Sequence, residues 1–497
     1  MKHNKKHTFT FAYQQPLRPE LPTYFVPKEF RQFRDLVIEV NRILESGIEY
    51  QFIVQKMKAL GIDQSKKAAQ RFYTRTSRAL RYSILLALED SAHRELAVRV
   101  SDSLLLQWFT ATDGLVPRPY AKSTIERFEK TFEKDEIEQL IHQVNQAVSE
   151  RETAEELILQ EELNLSDLWA DTTCITANIH YPVDWVLLRD ATRTLIKSIL
   201  VIRRHGLKHR IGPPEQFITE INKAVMEMSH TRKKKDGAKI RKTILRRMKK
   251  LLKTIEAHAR RYYELLDQQS DLTDLSRKQA EVVLGRMRKV IDQLPDAIRQ
   301  AHERIIGERR VDNREKILSL YEPDVRVMVR GKSGAEVEFG NALYLAENRD
   351  GLIVDWKFLN EQPPSDSALV KESIERVSGI YGKPDSYVAD RGFSSKPNSE
   401  FLHEEGIYDA ICPKSVNALG ERLEEPRFRE LQKRRAGTEA RIGIFKNVYS
   451  GRPLRSKGFD YRDNRIGWCI LAHNLWKLAS IAAENRRNQD GSNRLIA

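Results

Sequence analysis

Apolar residues Val37, Val40, Ile43 and Leu44 recur at helical spacing and open a stretch, residues 28–160, that is patterned as helix almost throughout. Gly47 and Gly61 read as helix stops within it. A second apolar run, Leu96 to Phe109, follows, and after the turn at Val116-Pro-Arg-Pro119 the residues Ser123 and Glu126 stand in capping-box register. Ahead of these helices, residues 1–27 carry Pro16, Pro19, Pro22 and Pro27 with no helical period and read as an extended arm. Near residue 164 the period changes. Leu168-Trp-Ala-Asp-Thr-Thr-Cys-Ile175 is short, apolar and β-branched, as a buried strand is. Helix returns over 183–309, where Val283, Met287, Val290 and Leu294 form one buried stripe ahead of Pro295. Strands are predicted at 325–329, 337–345 and 352–358, a helix at 367–380, strands at 386–390 and 408–412, a basic helix at 427–448 and a last helix ending near Glu484.

That order predicts an α/β protein: a mixed sheet flanked by helices, with an all-helical N-terminal domain and a large helical insertion. The predicted units are the arm (1–27), the helical N-terminal domain (28–160), a core split between 161–182 and 310–484, the insertion (183–309) and a flexible polar tail (485–497).

Length and charge sharpen this. A chain of 497 residues exceeds one ordinary core, and 40% apolar residues suffice for several. The formal charge of +15 favours a polyanionic partner. Cys174, Cys412 and Cys469 form no Cys-x-x-Cys pair, which argues against structural zinc. The basic N-terminus lacks an apolar h-region, and the apolar stretch 466–483 is broken by His473, Asn474 and Lys477. No membrane partner and a cytoplasmic location are therefore expected.

Three acids then stand out. Asp171 and Asp390 end apolar, strand-like runs, where Asp is disfavoured. Glu439 lies on the basic helix, with Arg435 four residues before it and Lys446 seven after, within about 40° and 20° of its direction on an α-helix. Taken singly, each also reads as a strand-end, turn or solvated acid. Together, like charges at about 4 Å repel by roughly 4 kcal/mol at an effective dielectric of about 20, so a cluster of them either binds cations or holds a proton. Oxygen ligands of this kind suit Mg²⁺.

These residues resemble the DDE transposases of bacterial insertion sequences, whose catalytic core is RNase H-like. The likeness rests on Asp171-Thr-Thr with Asn178-Ile-His-Tyr-Pro-Val-Asp184, on Val388-Ala-Asp-Arg-Gly-Phe393, on Arg435-x3-Glu439-x6-Lys446, and on Gly467-Trp-Cys-Ile-Leu-Ala-His-Asn-Leu475. Residues 94–132 also resemble the helical N-terminal domain of such enzymes. The resemblance implies that Asp171, Asp390 and Glu439 are catalytic and hold two Mg²⁺ ions, with Mn²⁺ as an alternative. It implies hydrolysis at transposon ends, then transfer of the freed 3′-hydroxyl into target DNA by a dimer or larger assembly in a bacterial, nucleoid-associated setting. The alternatives are an RNase H-like nuclease without strand transfer and an idle DNA-binding descendant. Arg435 and Lys446 match basic partners of the glutamate signature, and Arg391 joins them as an expected DNA contact. One departure is visible: Gln432 stands where many relatives have tyrosine. The insertion after the first strand is also unusually placed. No Gly-x4-Gly-Lys-Ser/Thr loop for a nucleotide triphosphate is present.

The densest basic run, Arg232, Lys233, Lys234 and Lys235 followed by Lys239 to Lys253, is expected to grip DNA phosphates, although a solvated helix face has the same composition. His180 reads as a structural hydrogen-bonder, and Trp356 and Trp468 as core.

Overall fold

The computed structural model describes residues 27–62, 66–113, 116–159, 162–231, 234–332, 335–361 and 365–496. Eight helices come first: α1 (Lys28–Ile43), α2 (Glu49–Ala59), α3 (Lys66–Leu88), α4 (His93–Asp102), α5 (Leu104–Phe109), α6 (Lys122–Glu129), α7 (Lys134–Ala147) and α8 (Arg151–Glu156). The stops are subtler than the sequence suggests. Gly61 does follow α2, with φ +59°, but Gly47 (φ +108°) kinks a π-helical turn that joins α1 to α2. Ser123 lies inside α6, whose N-cap is Ala121, so no capping box forms there.

The strand β1 (Asp167–Thr176) leads into a bundle of α9 (Asp184–Arg204), α10 (Pro214–His230), α11 (Gly237–Gln269) and α12 (Arg277–Ile305). Leu195, Ile199, Met248, Leu252, Met287 and Leu294 fill its interior, and α12 runs through Pro295. At the base, Asp184 accepts from Gln300 and Arg304, both at 2.9 Å, which closes the bundle where it leaves the sheet.

Then come β2 (Arg326–Lys332), β3 (Ala335–Glu347), β4 (Ile353–Phe358), α13 (Val370–Tyr381), β5 (Ser386–Ala389), α14 (Lys396–Glu404), β6 (Tyr408–Ile411), α15 (Val416–Leu423), α16 (Pro426–Ile444), a π-helical turn (Phe445–Tyr449) and α17 (Phe459–Ile496), which continues past Glu484. Among the described residues the strands form one six-stranded sheet ordered β2-β3-β1-β5-β6, with β4 on β3 beside β2. β3 is antiparallel to β1, β2 and β4, while β1, β5 and β6 run parallel.

α17 is buried on nearly every side at Ile466 to Ala472, Leu475, Leu478 and Ala482. A helix apolar all round must lie inside the molecule, and this one lies between the N-terminal helices and the sheet. Val40, Leu85, Trp468, Leu471, Leu345 and Ile353 therefore share one continuous core. Buried Asn474 pairs with both backbone groups of Ile353 on β4 (2.9 and 2.8 Å) and with Asn145 of α7 (3.1 Å). Among the described residues no helix is long and apolar enough to cross a membrane.

Candidate active site

β1 and β5 pair in parallel with Trp169 opposite Val388. Carrying that register forward sets Asp171 opposite Asp390, on strands about 4.8 Å apart. β5 and β6 end there, while β1 runs on to Thr176 paired with β3 alone. The result is a notch at the carboxyl ends of short parallel strands, where clefts form in α/β sheets.

α16 lies along the same face. Alternate residues of a strand share a side, and on β1 these are Trp169, Asp171 and Thr173. Trp169 Nε1 donates to the Leu431 carbonyl (3.0 Å) and its ring carries the Arg434 guanidinium at 4.3 Å. Thr173 Oγ1 accepts from Lys446 Nζ (3.2 Å). Asp171 lies between these contacts and feels both Arg435 and Glu439.

The rotational setting of α16 is held from its neighbouring face. Arg434, Thr438 and Arg441, at i, i+4 and i+7, converge on the buried carboxylate of Glu347 at the end of β3; Thr438 donates at 2.7 Å and Arg441 Nε at 2.8 Å. Burial alone would raise the Glu347 pKa, but Arg441 and Arg434 outweigh it and hold it below the usual carboxylate range. Arg441 packs against Gly351, whose φ of +90° and lack of a Cβ admit the approach. Gln432, the departure from the tyrosine pattern, donates to the carbonyls of Ala389 (3.1 Å) and Ala410 (2.6 Å), so it ties α16 to the ends of β5 and β6.

The electrostatics at the notch are those of crowded carboxylates. Burial, first, pushes the Asp171 pKa up to about 6; a 2.7 Å hydrogen bond from the Thr172 N–H opposes this, Asp390 and Glu439 add to it, and Arg435 opposes it again. Asp390 Oδ1 accepts the Gly392 N–H at 2.7 Å. Glu439 is 61% exposed and accepts from Arg435 Nη1 at 3.2 Å. The Arg435 Nε is buried and finds no hydrogen-bond partner among the described residues.

A fourth acid, Asp366, borders the site and escaped the sequence reading. It opens a short 3₁₀ turn before α13. A Cβ on Gly392 would lie 2.9 Å from Asp390 Oδ1 and 3.1 Å from Asp366 Oδ2, so both carboxylates flank this glycine. Burial, then Asp390, raises the Asp366 pKa; the nearby Thr172 hydroxyl opposes this, though it falls short of a well-formed hydrogen bond. Locally, Asp366 is indistinguishable from any acid at a helix start.

Asp171, Asp390, Glu439 and Arg435 thus share one electrostatic neighbourhood, without closing on a point: among the described residues no three acidic, His or Cys side chains already form a cage. The donor set is nonetheless all oxygen and mutually repelling, which suits a hard divalent cation.

The other expected contacts fare differently. Arg391 is exposed at the mouth of the notch. Lys446 is a correction: it is buried, 3% exposed, beneath Thr173 and is not a surface phosphate contact. The cause is that the helix face carrying Glu439 and Lys446 turns toward β1, which covers Lys446 at Thr173. Lys234 and Lys235 are exposed in the turn between α10 and α11, whereas Arg232 and Lys233 lie outside the described residues. His180 is exposed and makes no hydrogen bond among the described residues, contrary to its structural reading. Trp356 and Trp468 are buried, as expected.

Residues 351–475 match the family model described as transposase DDE domain, a segment that includes Asp390, Arg435 and Glu439 but not Asp171. No curated protein and no solved structure matches the chain.

Proposed function

We propose that this chain, a DDE-superfamily transposase by the domain it carries over residues 351–475, cuts DNA at transposon ends and joins the freed 3′-ends to target DNA. The observation that carries the reading is the β1–β5 register, which brings Asp171, distant in sequence and outside the matched segment, beside Asp390. The strand order and the antiparallel β1–β3–β4 arrangement beside parallel β1, β5 and β6 support an RNase H-like core.

Asp171, Asp390 and Glu439 are the residues that would hold divalent metal, Mg²⁺ in the first instance. When bound, such ions activate a nucleophilic oxygen and stabilise the leaving one. Asp171, with its pKa near 6, carries its negative charge at neutral pH at a cost that a cation would relieve. Arg435, whose Nη1 reaches Glu439, and exposed Arg391 are suited to orient phosphates beside the scissile bond. In the first step a P–O bond to water forms and the bond to the 3′-oxygen breaks. In the second, that 3′-hydroxyl attacks a target phosphate and the target's own 3′-oxygen leaves. No covalent enzyme intermediate is required.

The test is cleavage and joining of DNA carrying the inverted repeats that flank the gene. Mg²⁺-dependent nicking, abolished by Asp390→Asn, with joining to a second duplex, is the expected result. Nicking without joining would leave a nuclease. Metal-independent cutting, or cutting insensitive to the substitution, would overturn the catalytic assignment.

A further inference from the structure

Beyond the notch, β1 leads to a cleft of about 400 Å³ where the chain passes into the helical insertion. Its walls are the loop after β1, one face of α9, residues 318–322 and Lys457. A bridge between Ala177 and Leu454 holds the Lys457 segment against the end of β1.

Two properties distinguish this cleft. Its charge is unbalanced. Arg193 and Lys197, one turn apart on α9, and Lys457 are all exposed and have no acidic partner among the described residues. The acids of the cleft are already matched: Asp190 by Arg189 at 3.0 Å, and Glu322 by Arg462 and by the Gly458 N–H at 2.8 Å. Its aromatic surface is open as well. Tyr181 is 74% exposed, with its ring steadied edge-on by Phe339 of β3 at 5.6 Å. Tyr321, 46% exposed, is tethered through its hydroxyl to Thr194 at 2.6 Å.

We propose that this cleft binds a single, unpaired DNA strand. Arg193, Lys197 and Lys457 hold its phosphates and Tyr181 stacks on a base. Cations that track a backbone beside an open aromatic ring are the recognition chemistry of single strands. At about 400 Å³ the cleft has room to enclose a base with its phosphate but not a duplex. At about 3.3 Å per residue, β1 carries the chain roughly 16 Å from Asp171 to its end at Thr176, beside the cleft, so a strand leaving the carboxylates reaches the cleft within a few nucleotides. The inference rests on the transposase reading, since it takes DNA to be the polyanion.

The experiment uses the full chain and labelled oligonucleotides, single-stranded and duplex, at several salt concentrations. Tyr181→Ala is expected to weaken single-strand binding about ten-fold while Tyr181→Trp restores it, with duplex binding changed less than about two-fold. Arg193→Ala with Lys197→Ala should flatten the log–log salt slope by about 1.4. An oligonucleotide carrying 5-iodouracil should photocrosslink to Tyr181. If the parent binds and cuts DNA but the variants keep single-strand affinity and no crosslink maps to the cleft, the proposal fails and the transposase reading stands. Equal losses on duplex also overturn it. A parent chain that neither binds nor cuts DNA removes the transposase reading and the cleft proposal together.

Discussion

Asp171 is the residue on which folding and chemistry conflict. In the folded chain it keeps its proton up to about pH 6, against about 4 in an unfolded chain. The folded state therefore binds the extra proton between those values, and stability falls as pH rises through that window. Asp171→Asn removes the titration. In metal-free buffer the variant should match the parent below pH 4 and exceed it above pH 6 by up to roughly 3 kcal/mol. Urea denaturation at stepped pH measures this, and a difference that does not vary with pH contradicts it. Gly392 gives a complementary case. Gly392→Ala sets a methyl group against the tips of Asp390 and Asp366. Those carboxylate ends can swing aside, so stability should change by less than about 1 kcal/mol, whereas Mg²⁺ binding by calorimetry should weaken at least several-fold. Unaltered metal affinity would show that these carboxylates do not act together. Asp171, inside an apolar β-branched run, and Asp390, at the end of another, stand out in the sequence because a charged residue in such a run is conspicuous. Asp366 does not, since its role depends on which loop folds back over Gly392.

At the scale of elements, α16 is the part whose placement matters most. Spacing singles out Glu439 and puts Lys446 on the same face, but it does not show that this face turns toward β1, which buries Lys446 at Thr173. Nor does the sequence show what sets the helix rotation: Glu347 lies far from α16 in the chain and reads as an ordinary strand-end acid. The structure makes it the anchor of Arg434, Thr438 and Arg441. Glu347→Ala leaves two arginines partly buried without their anion and should cost about 3–5 kcal/mol. Thr438→Val, which removes one donor, should cost about 1 kcal/mol. Chemical denaturation checks both, and a loss below 1 kcal/mol for Glu347→Ala would mean that α16 is held in place by other contacts.

For the whole molecule, the order of helices and strands followed from hydrophobic period, but how they share a core did not. The sequence shows the stretch 466–483 only as the last, amphipathic helix of the split core. In the fold it joins the N-terminal helices to the sheet through Trp468, Leu471 and Asn474. A chain lacking residues 1–160 would expose that surface, and it is expected to aggregate or unfold without a cooperative transition. A monodisperse, cooperatively melting truncation would show that the two parts are independent.

The central claim is that residues 171, 390 and 439 converge on shared metal. Replacing Mg²⁺ with Fe²⁺ and adding ascorbate and peroxide cuts the backbone beside bound iron. The account predicts cleavage at three places, near residues 171, 390 and 439, with all three cuts lost together in Asp390→Asn. Cuts at only one of these places, or a pattern unchanged in the variant, would contradict it.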